Sequence, residues 1–251
     1  MQKKTICHAV AAIVGMGLAG GAGASGFQLL EQNGSGLGNA YAGSAVVGEN
    51  ASTVFYNPAA MTKLSGGNVS TGLTVINPSY KFNDRGSSNG TAATGASGGD
   101  AGGWAGLPNL YATWQLNDKW FAGIGVGSPF GLKTEYDNDW AGRFQTQLFD
   151  IKTYNVNPSL AVKASEALSF GVGVNYQRAE VKYKRQGATV SPAAQATSVT
   201  LEETGEAYGW NAGATLRLSP TTDIGLSYRS KIFYRLGGSL LKETLLCPDR
   251  V

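Results

Sequence analysis

The stretch that decides the fold is LSFGVGVNY, residues 168–176. Its apolar residues alternate with polar residues or glycines, and a period of two indicates a β-strand with two different faces. The apolar positions are Leu168, Phe170, Val172, Val174 and Tyr176, and the positions between them are Ser169, Gly171, Gly173 and Asn175. We therefore predict a strand with one apolar and one polar face.

The same alternation recurs along the chain and predicts an all-β protein with about seven strands. Charged residues make up 15% of the 251 residues and the mean hydropathy is -0.12, which suits neither a disordered chain nor a bundle of membrane helices. The other alternating stretches are residues 69–75, 110–116, 120–126, 153–163, 208–218 and 224–229. Soluble β-sandwiches also alternate, so the period alone leaves open whether the apolar face meets lipid or a protein core.

The connections between these strands favour a membrane. Short turns at 117–118, 164–167 and 219–222 alternate strictly with long polar or glycine-rich connections at 83–106, 137–150 and 185–206. Outer-membrane barrels have short periplasmic turns, long extracellular loops and aromatic residues at the membrane interfaces. The aromatic residues near the predicted strand ends are Trp120, Tyr154, Tyr176, Trp210 and Tyr228. We predict a transmembrane antiparallel β-barrel.

Residues 1–24 have the features of a cleavable secretory signal. Lys3 and Lys4 supply a positive start, residues 6–18 are apolar or small, and residues 22–24 are the small residues that a signal peptidase requires. A membrane-spanning helix is the alternative, although the stretch is shorter than the ~20 apolar residues that a span needs. With the barrel, this predicts the outer membrane of a Gram-negative bacterium.

The exported chain retains few chemically active groups. Removing Lys3 and Lys4 lowers the basic residues from 20 to 18, against 17 acidic ones, so the net charge falls from +3 to about +1 and no nucleic-acid partner is implied. Cys7 and the only histidine, His8, leave with the signal, and Cys247 remains alone. We predict no disulfide, no metal, no cofactor and no enzymatic activity.

Residues 25–66 precede the first strand and start on the side of the short turns, which is the periplasmic side. This N-terminal segment is rich in glycine and resembles neither a strand nor a long helix. A barrel of more than about ten strands encloses a lumen that must be plugged or left as a channel. We predict that residues 25–66 form a plug and that residues 67–238 form barrel strands.

The third strand is interrupted at Gly127, Ser128, Pro129, Phe130 and Gly131. Proline cannot donate to the hydrogen-bond ladder and glycine packs poorly in a strand, so a bulge or kink is expected at these residues.

Several stretches resemble one family, the outer-membrane long-chain fatty acid transporters, which includes FadL and the aromatic-hydrocarbon channel TodX. The resemblance extends to about residue 238, and the Asn-Pro-Ala element is its most specific part. The stretches are SGFQLLEQNGSGLGNAYAGSAV (25–46), ASTVFYNPAAMTKL (51–64), SPFGLKTEY (128–136), LSFGVGVNYQRAEVKYKR (168–185) and GWNAGATLRLSPTTDIGLSYRS (209–230). The resemblance implies a 14-stranded barrel with an N-terminal hatch.

The resemblance also implies roles for particular residues. Asn57, Pro58 and Ala59 would lie in the hatch, unless they are only part of an ordinary loop. The interruption at 127–131 would open the wall sideways as a lateral gate, unless it is an ordinary bulge. Arg185 would bind a ligand carboxylate, unless it belongs to a solvated strand end near lipopolysaccharide, and Phe27 would contact the acyl chain.

The chain departs from this family at its end. Only about half of the 14 strands are visible, and residues 239–251 lose the alternation, which predicts an aberrant or truncated tail. A half barrel would leave two unpaired edges in lipid, where each unsatisfied backbone group costs several kcal/mol. On this interpretation the chain alone would not insert stably.

The function expected from these features is passive uptake of long-chain fatty acids or similar hydrophobic molecules, with lateral release into the bilayer. The expected partners are a hydrophobic small molecule, outer-membrane lipid or lipopolysaccharide, and the barrel insertion machinery, and the full-length protein would be a monomer. Alternatives are a surface-exposed adhesin-type barrel, a non-functional truncated fragment and a soluble lipid-binding β-domain. Fatty-acid and aromatic-hydrocarbon channels share the motifs, so the sequence does not choose the substrate.

Overall fold

The computed structural model describes residues 28–86, 95–187 and 197–244. The predicted signal and Phe27 therefore lie outside the described residues. Within these ranges no helix is long and apolar enough to cross a membrane. The described strands are β1 (Gly67–Ile76), β2 (Ala105–Gln115), β3 (Trp120–Gly127), β4 (Gly131–Glu135), β5 (Leu148–Lys163), β6 (Leu168–Gly187), β7 (Thr197–Ser219), β8 (Thr222–Arg229) and β9 (Gly237–Thr244).

All nine described strands belong to one antiparallel sheet. Its order is β1-β2-β3-β5-β6-β7-β8. Strand β4 continues the line of β3 along β5, and β9 continues the line of β8 along β7. The sheet thus has seven positions, and the predicted all-β, antiparallel architecture is confirmed.

The two faces of the sheet are the reverse of those in a soluble protein. Apolar side chains on the outer face are exposed: Val172 retains 59% of its accessible surface and Leu226 retains 71%. On the other face of the same strands, polar side chains such as Asn175 and Asn211 are buried. Large exposed apolar surfaces are rare in soluble proteins, whereas a barrel wall in lipid requires them. The predicted aromatic residues Trp120, Tyr154, Trp210 and Tyr228 also lie on the exposed face.

The N-terminal segment packs against the inner face of the sheet. It contains the 3₁₀ helix Leu37–Asn39, the α-helix α1 (Thr53–Tyr56) and the 3₁₀ helix Pro58–Lys63. The last of these contacts four strands, β3, β5, β6 and β7, so the sheet curves around it. Apolar residues of the segment and the wall form a small core: Ala51, Val54, Phe55, Met61, Tyr111, Phe121 and Ala161.

Two strands are longer than the sequence predicts. Residues 185–206 were expected to be a long connection, but β6 continues to Gly187 and β7 begins at Thr197. In the added length one face is charged, as in the ladder pairs Arg178 with Glu206 and Lys182 with Glu202, and the opposite face carries Val199 and Leu201. Only these two apolar positions continue the period of two, which is too short a run to predict a strand.

The predicted boundary at residue 238 also differs from the structure. Strand β9 runs to Thr244 and pairs with the outer half of β7, although its sequence lacks alternation. Residues 230–236 separate β8 from β9 and lie against glycines of β7; a Cβ at Gly209 would lie 2.7 Å from Ile232. Pairing with an existing strand, rather than an apolar period, defines β9.

Candidate functional site

Asn57 fixes the N-terminal segment to the barrel wall. Its side chain is fully buried, and its Nδ2 donates to the carbonyl oxygens of Ala45 (2.6 Å), Ala214 (3.2 Å) and Leu226 (3.2 Å). Its Oδ1 accepts from the Ala59 backbone N–H at 3.0 Å, which caps the following 3₁₀ helix. One amide therefore joins the segment to two neighbouring strands, β7 and β8.

The two residues after Asn57 fit against glycines of the wall. Pro58 occupies the first turn of the 3₁₀ helix, where its missing N–H is not needed. A Cβ added at Gly171 would lie 2.3 Å from the Ala59 nitrogen, and one at Gly213 would lie 1.9 Å from Asn57 Oδ1. The wall thus accepts this segment only because glycine occupies the inward positions opposite it.

The third strand is displaced at residues 128–130, which we call the Pro129 bulge. Gly127 pairs with Asn155 and Gly131 pairs with Lys152, so three residues of this strand lie opposite two residues of β5. This is the register of a β-bulge, and Pro129 is buried within it. Thr153 Oγ1 donates to the Phe130 carbonyl oxygen at 2.8 Å and accepts from the Phe130 N–H at 3.0 Å.

The start of the N-terminal segment covers the Pro129 bulge from inside. Gln28 forms an antiparallel bridge with Phe130, and the Leu29 N–H donates to the Pro129 carbonyl oxygen at 2.9 Å. Gln32 Nε2 donates to the Ser128 carbonyl oxygen at 2.9 Å. The carbonyls released from the sheet ladder are therefore satisfied by the N-terminal segment. Sequence reasoning missed Gln32, because nothing in the sequence marks a contact so distant along the chain.

A network of amide side chains lines the inner face beside this segment. Asn157 Nδ2 and Asn175 Nδ2 both donate to Asn211 Oδ1 at 2.9 Å. Gln177 Nε2 donates to Asn155 Oδ1 at 3.1 Å. All five side chains are buried, so three adjacent strands present a connected polar surface toward the interior.

Arg229 connects this polar surface to α1. It is partly buried, its Nη2 donates to the Phe55 carbonyl oxygen at 2.8 Å, and its Nη1 donates to Asn175 Oδ1. The guanidinium also lies over the Phe55 ring, 4.4 Å from its centroid. Sequence reasoning missed this residue of β8, because its contact with Phe55 depends on how two distant segments are placed.

Tyr56 closes the side of α1 that faces the rest of the N-terminal segment. Its hydroxyl donates to the Leu30 carbonyl oxygen at 2.8 Å, and its ring stacks on Tyr41 with centroids 5.7 Å apart. Burial, followed by the proximity of Tyr41, raises the pKa of the Tyr56 phenol. The hydroxyl therefore stays protonated and keeps its donor role at any physiological pH.

Arg185 lies apart from these contacts. It is exposed near the outer end of β6, on the same face as the buried Asn175 and Gln177, and pairs in register with Val199. Its neighbour Lys182 is on the opposite face and forms an ion pair with Glu202 at 2.7 Å. The structure thus brings Asn57, Pro58 and Ala59 together with the wall and covers the Pro129 bulge, but leaves Arg185 separate from both.

Within the described ranges no three His, Cys, Asp or Glu residues cluster in a way that could hold a metal ion.

The sheet is the wall of a transmembrane β-barrel: its outer surface is apolar, its inner surface is rich in amides, and a chain segment packs inside it. The chain belongs to the outer membrane protein transport protein family (OMPP1/FadL/TodX), whose family model matches residues 15–247. It is accordingly an outer-membrane protein, and the resemblance drawn from the sequence is confirmed.

Relatives and solved structures agree with this assignment. The chain is 34% identical to outer membrane protein P1 of Haemophilus influenzae, over 85% of this chain and 55% of that protein. It is 31% identical to the long-chain fatty acid transport protein of Salmonella typhi, over 90% of this chain and 55% of that protein. The fold is similar to the crystal structure of a Pseudomonas aeruginosa FadL homologue, with a TM-score of 0.67 and 23% identity over 85% of this chain and 56% of that one. The chain thus spans about half the length of these relatives.

Proposed function

We propose that this protein takes part in passive uptake of hydrophobic molecules across the outer membrane, and that the Pro129 bulge is where they leave the barrel sideways. The observation that carries the proposal is that the N-terminal segment covers the bulge. Leu29 and Gln32 donate hydrogen bonds to the carbonyl oxygens of Pro129 and Ser128. Withdrawal of this cover would uncover the one place in the third strand where the regular ladder is interrupted.

Solvent chemistry favours lateral release for an apolar cargo. Transfer of a methylene group from water into an apolar environment gains roughly 0.8 kcal/mol, so a long acyl chain would lose most of this gain in a water-filled pore. A side exit passes the chain from the barrel interior directly to lipid. In this proposal Asn57, Pro58 and Ala59 hold the hatch closed, and the glycine-lined wall receives it.

Long-chain fatty acids are the substrate that we propose first. The long-chain fatty acid transport protein of Salmonella typhi is among the similar proteins, and Arg185 stands on the inward side of β6 as a candidate partner for a carboxylate. A guanidinium can bind a carboxylate through two parallel hydrogen bonds. Phe27 remains a candidate contact for the acyl chain. Aromatic hydrocarbons are the alternative cargo and would not require Arg185.

The proposal also covers the oligomeric state of the protein and its surroundings in the membrane. The protein would act as a monomer in its full-length barrel, without enzymatic activity or a cofactor. It would be placed in the membrane by the barrel insertion machinery and would be surrounded by lipopolysaccharide on its outer side.

The test measures uptake by growth on oleate and then asks whether a disulfide that immobilises the Pro129 bulge stops it. Because the chain spans about half of its relatives, a barrel that joins it to the C-terminal half of a fatty acid transport relative is expressed in cells that lack their own importer. We expect growth on oleate. In a Cys247→Ser background, the pair Gln28→Cys and Phe130→Cys should form a disulfide across the observed bridge and abolish growth until a reductant is added.

The Gln28→Cys single variant is the matched control and should grow. No growth of the unmodified barrel, despite insertion at the cell surface, would contradict fatty acid uptake. Growth of the oxidised double variant at the normal rate would contradict release at the Pro129 bulge while leaving uptake itself intact.

A further inference from the structure

A polar cavity lies where the end of the N-terminal segment meets the inner face of the sheet, at the end of the sheet that carries the short turns. Its volume is about 270 Å³, well above the ~30 Å³ that one water molecule occupies in the liquid, so a small ligand group has room there. Thr62 and Lys63 of the segment line one side, and Lys163, Ser169 and Thr215 of β5, β6 and β7 line the other. Neither Arg185 nor the Pro129 bulge borders this cavity.

One buried hydroxyl group that lines the cavity has no partner. Thr215 is 6% exposed, and its hydroxyl forms no hydrogen bond with any of the described residues. Its neighbour across the β6–β7 ladder, Ser169, is bonded to the Thr62 hydroxyl at 2.8 Å, which leaves Thr215 as the open donor. A buried polar group without a partner costs stability, so Thr215 indicates a group in the cavity that accepts its hydrogen.

Cations outnumber anions around the cavity. The cations are Lys63, Lys163 and Arg217, and the anions are Asp223 and Glu166. One carboxylate, Asp223, serves both Lys63 Nζ at 2.6 Å and Arg217 Nε at 3.4 Å. Lys163 Nζ pairs with Glu166 at 2.9 Å, but the Glu166 side chain is 94% exposed, so solvent weakens this pair. The charges therefore favour an anion in the cavity.

The shape of the donor set favours a phosphate group over other anions. Phosphate oxygens are strong acceptors that point in several directions, so one group can accept from both sides of the cavity at once. Lysine binds phosphate as a point charge, and a hydrogen bond to an ionised group is roughly twice as strong as one between neutral groups. Charged and hydroxyl side chains around the cavity disfavour an apolar ligand.

We propose that this cavity binds a phosphate group, supplied either as free phosphate in the periplasm or by a phospholipid headgroup, and that the bound anion joins the end of the N-terminal segment to the wall. Lys63 contacts the anion from the segment, and Lys163 and Thr215 contact it from the wall. A ligand that binds only the folded arrangement stabilises it, so phosphate should raise the stability of the barrel. The site is independent of the hydrophobic cargo.

The first test uses the joined barrel in detergent micelles that contain no phospholipid. Binding of inorganic phosphate is measured by calorimetry, and its effect on stability is measured by the urea midpoint. We expect phosphate to bind and to raise the midpoint. Sodium chloride at the same ionic strength is the control, because it screens surface charges equally without occupying the cavity.

Two variants locate the binding site, each with a matched control. Thr215→Val replaces an unpartnered hydroxyl by a methyl group of similar size, so it should fold normally but bind phosphate about tenfold more weakly, the loss expected for one charge-assisted hydrogen bond. Thr113→Val should bind normally, because Thr113 has a buried, unpartnered hydroxyl elsewhere. Lys163→Gln should also weaken binding, whereas Lys133→Gln should not, because Lys133 is paired with the exposed Glu135 away from the cavity.

The source of the phosphate group is tested in nanodiscs and phosphate-free buffer. Phosphatidylglycerol discs that raise the urea midpoint above that in phosphatidylcholine discs, with the effect lost in Thr215→Val, would assign the site to a lipid headgroup. Stabilisation by inorganic phosphate alone would assign it to the free anion. Either result supports the site.

Three results would overturn the inference. They are the absence of phosphate binding and of any phosphatidylglycerol effect, equal stabilisation by sodium chloride, and normal phosphate binding by folded Thr215→Val and Lys163→Gln. Growth on oleate would stand in each case, so the proposed uptake function would be unaffected. A barrel that binds phosphate but gives no growth on oleate would contradict uptake and leave this site intact.

Discussion

Asn57 shows how a single side chain can connect an irregular segment to a sheet. Backbone carbonyls of paired strands normally have no spare donor nearby, yet Asn57 Nδ2 contacts those of Ala214 and Leu226 while Oδ1 caps the next helix. Removing one partner from a buried set leaves the others unsatisfied, and each such group costs about 1–3 kcal/mol. The residue therefore contributes more than its own hydrogen bonds.

We expect Asn57→Ala to lower the free energy of unfolding by about 2 kcal/mol or more, because the Ala59 N–H and the Ala45 carbonyl lose their partner. Urea unfolding of the joined barrel in detergent micelles measures the effect. Asn39→Ala is the control, since Asn39 is exposed and bonds only within its own turn, so its change should stay within about 0.5 kcal/mol. Equal effects of the two substitutions would refute the anchoring role of Asn57.

At this scale the sequence predicts some residues and misses others for a physical reason. Asn57, Pro58 and Ala59 were singled out through the family resemblance, because the local chemistry of an Asn-Pro pair after apolar residues also fits an ordinary loop. Gln32 and Arg229 could not, because their contacts with Ser128 and Phe55 depend on how distant segments are placed. A polar residue on a polar face does not reveal which partner it will meet.

At the scale of elements, the N-terminal segment packs closely against the wall because the strands have glycine at the contact positions. The inward positions Gly123, Gly171, Gly213 and Gly225 each have an atom of the segment within 2.5 Å of where a Cβ would stand. Glycine ordinarily weakens a strand, so its repeated use on one face indicates close approach of another chain segment. This spacing explains why the alternating stretches carry so much glycine on the polar side.

Gly213→Ala should therefore destabilise the seating of the segment by about 1–3 kcal/mol, the usual cost of forcing a methyl group into a filled site. Gly67→Ala is the matched control on another strand, because its Cβ would meet Trp114 at an ordinary 3.7 Å. Urea midpoints and hydrogen exchange at residues 51–64 measure both variants. A destabilisation at Gly67 as large as that at Gly213 would show that loss of glycine, rather than collision with Asn57, is responsible.

Whether a strand could be predicted depended on whether it has an apolar outer face. Strands with an apolar outer face, such as β3 and β8, were found within one or two residues because the membrane imposes a period of two on them. The outer ends of β6 and β7 and the whole of β9 lack that apolar face, so only their pairing partners define them. The Pro129 bulge was predictable because proline cannot join the ladder, whereas its covering by Gln28 and Leu29 was not.

At the scale of the whole molecule, burial is inverted. Apolar side chains face outward along all seven sheet positions, and amides and hydroxyls face the inner segment. The hydrophobic effect would penalise this arrangement in water, but in a bilayer the outer surface contacts hydrocarbon. The same inversion leaves the interior to a polar network that the N-terminal segment contacts through Arg229 and Phe55.

Orientation follows from the connections. The turns after β2, β5 and β7 are short, and the connections after β1, β4 and β6 are long. The N-terminal segment approaches β1 from the side of the short turns, and Lys63 near its end forms an ion pair with Asp223 at the start of β8, 2.6 Å apart. The segment therefore closes the barrel from the periplasmic side in the proposed function.

The most direct test of the inverted faces uses spin labels attached to single cysteines along β6, β7 and β8 of the joined barrel in lipid bilayers. Labels at Val172 and Leu226 should collide with oxygen, which concentrates in lipid, far more often than with a water-soluble nickel complex. Labels at Asn175 and Asn211 should collide little with either. A chain that folds in water without detergent, with labels at Val172 and Leu226 shielded from both reagents, would contradict the barrel and the uptake function built on it.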